Sequence, residues 1–272
     1  MITFVADKNS KLVKSALKQS ADLSYSALNK LLRKGDVKVN GKRVKEDVLL
    51  TVGDTVEIYY TAPALEKYKV IYKDDNVVVI DKKAGYLSET VFEDLGKKQP
   101  TFFIHRLDRN TAGIMIFALN PRAEKELISG FKNRAFIKYY TALVVGKPPK
   151  KEDVATGYLV KDALNATVKI YDKKVDGAAR IKTGYTVIKT DNETSVLKIR
   201  LFTGKTHQIR AHMAHLGCPV VGDGKYGDNA FNKAHGVKEL QLFSDSLTLN
   251  FKEDDFLYYL NGKTFCRKKE DN

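Results

Sequence analysis

His105-Arg106-Leu107-Asp108-Arg109-Asn110-Thr111-Ala112-Gly113-Ile114-Met115-Ile116-Phe117-Ala118 sets a charged cluster directly against an apolar run. The apolar half is short and opens on a glycine, which is the pattern of a buried strand. Gly113 allows a close turn between the two halves, since it lacks a Cβ. Asp108 therefore stands where a loop meets a buried sheet, between Arg106 and Arg109. A carboxylate that leaves water tends to take up a proton, and a guanidinium beside it favours the anion. Taken alone, these residues describe a structural Arg–Asp pair at a strand end as readily as a reactive carboxylate.

Outward from this run the pattern is mostly of period two. Val77-Val78-Val79-Ile80 reads as a buried strand, and Val196 to Phe202 alternates apolar with polar residues. Pro121 to Phe131 reads as a helix, with proline suited to its first turn. Residues 61–69 read as a linker, where Pro63 discourages helix at Ala62. The chain thus divides into a module at 1–60, the linker, a larger domain at 70–266 and a polar tail at 267–272.

Within the module, helix is expected around Lys11 to Gln19, with Leu12, Ala16 and Leu17 on one face. Ser24 can cap a second helix that carries Leu28, Leu31 and Leu32, and Gly35 can end it. Asp36 to Val44 alternates apolar and basic residues around Asn40-Gly41, the pair that a tight hairpin favours because both positions take positive φ. Val37, Val39 and Val44 then face a core, leaving Lys38, Lys42 and Arg43 to solvent or phosphate. Gly53-Asp54 turns the chain into a strand at Thr55 to Tyr59.

Lys and Arg number 47 against 33 Asp and Glu, a net charge of +14 spread along the chain. A basic folded protein suits a polyanion, because each neutralised phosphate releases counterions. Two cysteines give neither a disulfide framework nor metal spacing, which fits a reducing cytoplasm. No apolar stretch approaches the ~18 residues that span a bilayer, and no signal sequence is apparent. The composition therefore points away from membranes and towards nucleic acid.

The Asp108 run is similar to the signature of the RluA-type pseudouridine synthases, His-Arg-Leu-Asp followed by Thr-Ser-Gly and an apolar strand, with Ala112 in place of the serine. Leu201-Phe202-Thr203-Gly204-Lys205-Thr206-His207-Gln208-Ile209-Arg210 and its continuation to Gly227 resemble the later motif of that family almost position by position. Lys205 there replaces the commoner Arg, and Cys218 a commoner His. Lys138-Tyr139-Tyr140 resembles the family's Lys-x-Tyr strand, although a one-residue slip would exchange the two rings. Lys82-Lys83-Ala84-Gly85 stands for a Lys-Pro-x-Gly turn, and Leu240 to Ser244, where the family often has Leu-His-Ala, is assigned packing only. Residues 10–60 resemble the small RNA-binding module named after ribosomal protein S-four.

The resemblance implies an α+β protein whose catalytic domain is a mixed, mainly antiparallel sheet with flanking helices and loops. It implies isomerisation of uridine in structured RNA, chiefly large-subunit ribosomal RNA, without a cofactor or an obligate protein partner. Asp108 becomes the catalytic carboxylate, which attacks the nucleoside or removes a sugar proton. Arg210 pairs with Asp108, and Tyr140 stacks on the uracil. Arg106 fills the space of a flipped base, Lys205 and His207 line the RNA-facing cleft, and Lys38, Lys42 and Arg43 hold a distant part of the RNA.

Parts of the sequence admit other readings. Gly204-Lys205-Thr206 resembles the end of a phosphate-binding loop, but the glycine required five positions earlier is Ile199. His207, His212 and His215 lack the cysteine or acidic partners of a zinc site. A non-catalytic RNA-binding or ribosome-assembly factor on a synthase scaffold, and a synthase acting on transfer RNA, are the remaining alternatives.

Overall fold

In the computed structural model, which describes residues 1–19, 23, 25–60 and 66–267, the chain forms two units, Met1–Leu65 and Glu66–Asn272. The first unit contains β1 (Ile2–Val5), β2 (Ser10–Lys11), α1 (Leu12–Ala16), α2 (Tyr25–Lys34), β3 (Val37–Val39), β4 (Lys42–Arg43), β5 (Leu49–Leu50) and β6 (Thr55–Ile58). Strands β1, β6, β3 and β4 form one sheet in that order, and β2 pairs with β5. The hairpin forms as expected: Asn40 and Gly41 take φ of 49° and 76°, and Val39 faces Lys42 across the turn. Gly35, at φ 77°, ends α2 and donates its N–H to the Leu32 carbonyl.

Leu12, Ala16, Leu28, Leu32, Val37, Val56 and Ile58 form the core of this unit, with Val39 and Val44 packed at its edge. α1 is shorter than the helix expected over Lys11 to Gln19, because the chain turns after Ala16. The proposed Ser24 cap lies outside the described residues. Of the three cations assigned to the hairpin, Lys42 and Arg43 are exposed. Lys38 differs: it sits opposite Glu57 in the ladder, and its Nζ donates to the Tyr59 hydroxyl at 3.1 Å.

The second unit runs β7 (Tyr68–Lys73), β8 (Val77–Lys82), α3 (Ser88–Gly96), β9 (Ala112–Ala118), α4 (Pro121–Lys132), β10 (Ile137–Val145), β11 (Glu152–Asp162), β12 (Thr167–Tyr171), β13 (Ala179–Thr190), β14 (Thr194–Leu201), α5 (Gln208–His215), α6 (Asn229–Ala234), β15 (Leu242–Thr248) and β16 (Thr264–Cys266). Tyr68 and Lys69, read as linker from the sequence, are strand residues because they pair with Lys82 and Asp81. Arg267, assigned to the tail, is held: its N–H donates to the Asp245 carbonyl and its guanidinium lies 4.2 Å from the Phe243 ring centroid.

One ten-stranded sheet follows the order β12-β11-β13-β14-β10-β15-β9-β8-β7, with β16 added beside β15. Every pairing is antiparallel except β15 with β9. The fold is α+β, with a mixed, mainly antiparallel sheet. Its central strands are apolar on both faces because both faces are covered. Val78, Ile80, Met115 and Phe117 enter one core, and Val77, Val79, Ile114 and Ile116 the other.

Gly113 carries the parallel junction. At φ 123° it lies against Ser244, whose carbonyl oxygen would stand 2.1 Å from a Cβ. Any side chain there would push apart the two strands that hold the Asp108 loop to the sheet. No helix among the described residues is long and apolar enough to cross a membrane.

Candidate active site

Asp108 occupies the loop between α3 and β9, and its two neighbours are fastened separately. Leu107 is buried, with its N–H and carbonyl both bonded to the Ser88 hydroxyl, at 3.0 and 2.9 Å. On the other side, the Arg109 carbonyl accepts from Lys82 Nζ at 3.1 Å, and Arg109 exchanges bonds with the Gly85 backbone. Lys82 is fully buried and also donates to the carbonyls of Lys83 and Tyr86. Its three N–H groups thus meet three carbonyls. Burial lowers its pKa to about 8, against the opposing pull of Asp108 and Asp81.

Between these two anchors the Asp108 carboxylate is left 19 % exposed and aimed at Arg210. Arg210 Nη1 donates to Asp108 Oδ2 at 3.1 Å. The rest of the guanidinium is held by Asp223, which accepts from Nε and Nη2 at 2.7 Å each. Asp223 is completely buried and further accepts from the N–H groups of Lys225 and Tyr226. Burial opposes charge on Arg210, yet Asp223 and Asp108 hold its pKa above the ordinary value. The bidentate clamp fixes the plane of the guanidinium and turns Nη1 towards Asp108.

α5 presents Arg210 because its other faces are used for packing. Ile209 and Met213 enter the large core, and Ala211 joins a small cluster with Leu159, Val168 and Ile181. The loop before α5 is closed by buried Gln208, which accepts from Thr203 Oγ1 and Lys205 N and donates to Thr183 Oγ1. This tight closure puts His207 at φ 53°, a left-handed conformation that costs a non-glycine residue about 1 kcal/mol or more. Its ring is held there by Tyr226, hydroxyl to Nδ1 at 2.9 Å, and its Nε2 stands 3.9 Å from Asp108 Oδ2. Burial, with the Arg210 and Lys225 charges, keeps the imidazole below its ordinary pKa against the pull of Asp108.

Asp108, His207 and Arg210 line a cavity of about 340 Å³, together with Arg106, Tyr140 and Lys205. Strand alternation separates the two tyrosines. Tyr140 is 7 % exposed and faces the cavity. Burial, helped by Asp108 and opposed by a hydrogen bond with Ser244, raises its phenol to about 12. Tyr139 lies under Lys198 Nζ, 4.4 Å from the ring centroid, and lines a different cavity. Ser244 therefore does more than pack, since it meets both Tyr140 and Gly113.

The structure brings together Asp108, Arg210, Tyr140, Arg106, Lys205 and His207. Arg106 reaches outward and pairs with Glu89 at 3.1 Å. Lys38, Lys42 and Arg43 belong to the first unit. The three histidines of α5 and its approach have separate partners: Tyr226 for His207, Thr183 for His212 and Asp172 for His215. Among the described residues no three His, Cys, Asp or Glu side chains form a group able to hold a metal.

Asp223, Tyr226, Lys82 and Ser88 went unassigned in the sequence. Lys82 carried a usable signal, because parity with Val78 and Ile80 points it to the Asp108 side of the sheet. Asp223 stands among Gly222, Gly224 and Gly227, which reads as an ordinary exposed turn and gave no sign of a buried acid. Ser88 carried no mark either.

Residues 67–215 match the family described as RNA pseudouridylate synthase. The ribosomal large subunit pseudouridine synthase C of Vibrio vulnificus is 31 % identical over 259 residues, covering 84 % of this chain and 81 % of that protein. The ribosomal large subunit pseudouridine synthase D of Buchnera aphidicola is 32 % identical over 243 residues, covering 80 % and 74 %. Among solved structures, human RNA pseudouridylate synthase domain containing 1 has the same fold, with a TM-score of 0.65 at 22 % identity, over 77 % of this chain and 86 % of that one. The chain belongs to the RNA pseudouridylate synthase family. It is an isomerase of the RluA type, acting on RNA.

Proposed function

We propose that this synthase converts uridine in structured large-subunit ribosomal RNA to pseudouridine, with Asp108 as its catalytic carboxylate. The observation that carries the reading is the aimed geometry of Asp108, anchored on both sides and bonded to a clamped Arg210 at the floor of a cavity. The ribosomal target is supported by the names of relatives from Vibrio and Buchnera.

The reaction breaks the bond from ribose carbon to ring nitrogen, turns the uracil and joins the same ribose carbon to a ring carbon. The proton on that ring carbon leaves to solvent and the ring nitrogen that released the ribose takes one up, so atoms balance with no donor and no redox partner. An anion is required whether the carboxylate attacks the nucleoside or removes a sugar proton, and Arg210 donates an N–H to that carboxylate. Tyr140, neutral at physiological pH with a phenol near 12, offers its ring to the uracil and its hydroxyl to proton movement. A base buried this deeply must leave the RNA stack at a cost of a few kcal/mol. Arg106, at the rim, is placed to enter the space it vacates, exchanging Glu89 for RNA. Lys42 and Arg43 serve a more distant stretch through phosphate contacts, in an S-four-like module, and the protein works in the cytoplasm.

The test is Asp108→Ala on base-tritiated RNA. Tritium release is expected to fall at least ~10³-fold while RNA affinity is retained. Release at the wild-type rate would remove Asp108 from the chemistry.

A further inference from the structure

Beside the Asp108 cavity lies a groove of about 360 Å³. The two share a wall made by Phe131, Lys138, Leu201, Gly204 and Lys205. Six cations line the groove: Lys132, Arg134, Lys138, Lys182, Arg200 and Lys205. They come from the end of α4, the turn after it, β10, β13, β14 and the loop before α5, so residues far apart in sequence converge on one place. Among the described residues, no aspartate or glutamate lines it.

The contrast with the neighbouring cavity is one of pairing. There, Asp108, Arg210 and Asp223 bind one another. In the groove, three of the six positive groups lie against aromatic rings. Lys182 Nζ and Arg200 Cζ each lie 4.7 Å from the Phe202 centroid, and Lys138 Nζ lies 5.3 Å from that of Phe131. None of the three makes an ion pair of 4.0 Å or less among the described residues. Burial also keeps the Lys138 pKa below its ordinary value. Like charges held this close repel, and the arrangement is relieved when an anion enters.

A strand whose base occupies the Asp108 cavity has its phosphates within reach of the shared wall. We propose that this groove binds the sugar-phosphate backbone flanking the target nucleotide, with Lys182 and Arg200 as its principal phosphate contacts. The assignment rests on reading the Asp108 cavity as the uridine site. It adds to that reading the course of the strand, across Lys205 and Lys138 towards β13 and β14. Such contacts set register and affinity and carry little sequence information.

The test is a double variant, Lys182→Ala with Arg200→Ala, compared with the charge-keeping pair Lys182→Arg with Arg200→Lys. Affinity for a ribosomal RNA fragment is titrated against salt, with thermal unfolding as the check on folding. Loss of two phosphate contacts is expected to lower the slope of log affinity against log salt by roughly 1.5 and to weaken binding about tenfold near 150 mM salt. The loss of turnover is expected to fall on KM, and the charge-keeping pair is expected to retain the slope. A folded alanine pair with an unchanged slope overturns the proposal, as does loss of the slope in the charge-keeping pair. If the alanine pair fails to fold, Lys182→Gln and Arg200→Gln are titrated singly, each expected to lose roughly 0.7–0.9 of slope. The same titrations on an Asp108→Ala background separate the two readings: a reduced slope there supports the groove even if wild-type protein releases no tritium.

Discussion

The Asp108 cavity and the Asn40-Gly41 hairpin both display basic residues, but they use them in opposite ways. At the centre of the cavity the charges are bound: Arg210 spans Asp223 and Asp108, and Asp223 takes four N–H donors while fully buried. On the hairpin, Lys42 and Arg43 stand in solvent with no ion pair among the described residues. Buried charges cost several kcal/mol to desolvate and persist only when satisfied, so they fix geometry. Exposed charges are free to meet phosphate, so they supply affinity that salt screens. Chemistry that needs one carboxylate in one place uses the first kind, and holding a long polyanion uses the second.

The contrast breaks most directly at Asp223. Asp223→Ala strands the Arg210 guanidinium without two of its bonds and is expected to cost about 3–5 kcal/mol in urea unfolding, with turnover falling as Arg210 loses its aim. A loss below about 1 kcal/mol would mean that the clamp is not what holds the cavity.

Acid tests the buried groups collectively. His105 Nε2 accepts the Ile116 N–H at 3.2 Å, so it cannot carry a proton there, and burial together with the Lys138 charge pushes its pKa to about 3. His212 is buried against Thr183 and pushed to about 4 by burial, with His215 adding to the effect. Both folded values lie below the unfolded 6.5. On acidification the unfolded chain therefore binds two protons that the folded chain refuses, and stability falls as pH drops below 6.5. Together the two imidazoles are expected to remove about 3 kcal/mol between pH 6.5 and about 5, measured by urea unfolding at several pH values. A flat profile over that window would show the rings to be wetter than their contacts imply.

The smallest structural effect is expected on the hairpin. Lys42→Ala with Arg43→Ala should move the melting temperature by no more than about a degree. The same pair should lower the salt slope of RNA binding by roughly 1.5. A marked drop in melting temperature with an unchanged slope would reverse the contrast between the two regions.

Local patterns proved legible where one residue type answers one local demand. Asn40-Gly41 needs positive φ at both positions, and the turn formed. Val77 to Ile80 reads as a buried strand, and all four residues are buried on a sheet covered on both faces. Boundaries were less legible. The pairing of Tyr68 with Lys82 extends β7 into the expected linker, and stacking of Arg267 on Phe243 shortens the expected tail. Lys38 looked like its hairpin neighbours, but Tyr59, just past the end of β6, engages its Nζ.

The motifs around Asp108, Lys138-Tyr139-Tyr140 and Arg210 determined the family, because long ordered matches need no coordinates. The apolar run Ile114 to Phe117 likewise determined that Asp108 sits at the edge of a buried sheet. Which tyrosine faces Asp108 was decided by the register of β10, since alternation assigns faces only once a strand is paired. Arg210 was legible as the partner of Asp108, but the groups that hold Arg210 and the Asp108 loop were decided by tertiary structure alone. Lys82 lies 27 residues from Arg109, Ser88 19 from Leu107 and Asp223 13 from Arg210, and only folding brings their polar atoms within hydrogen-bond reach.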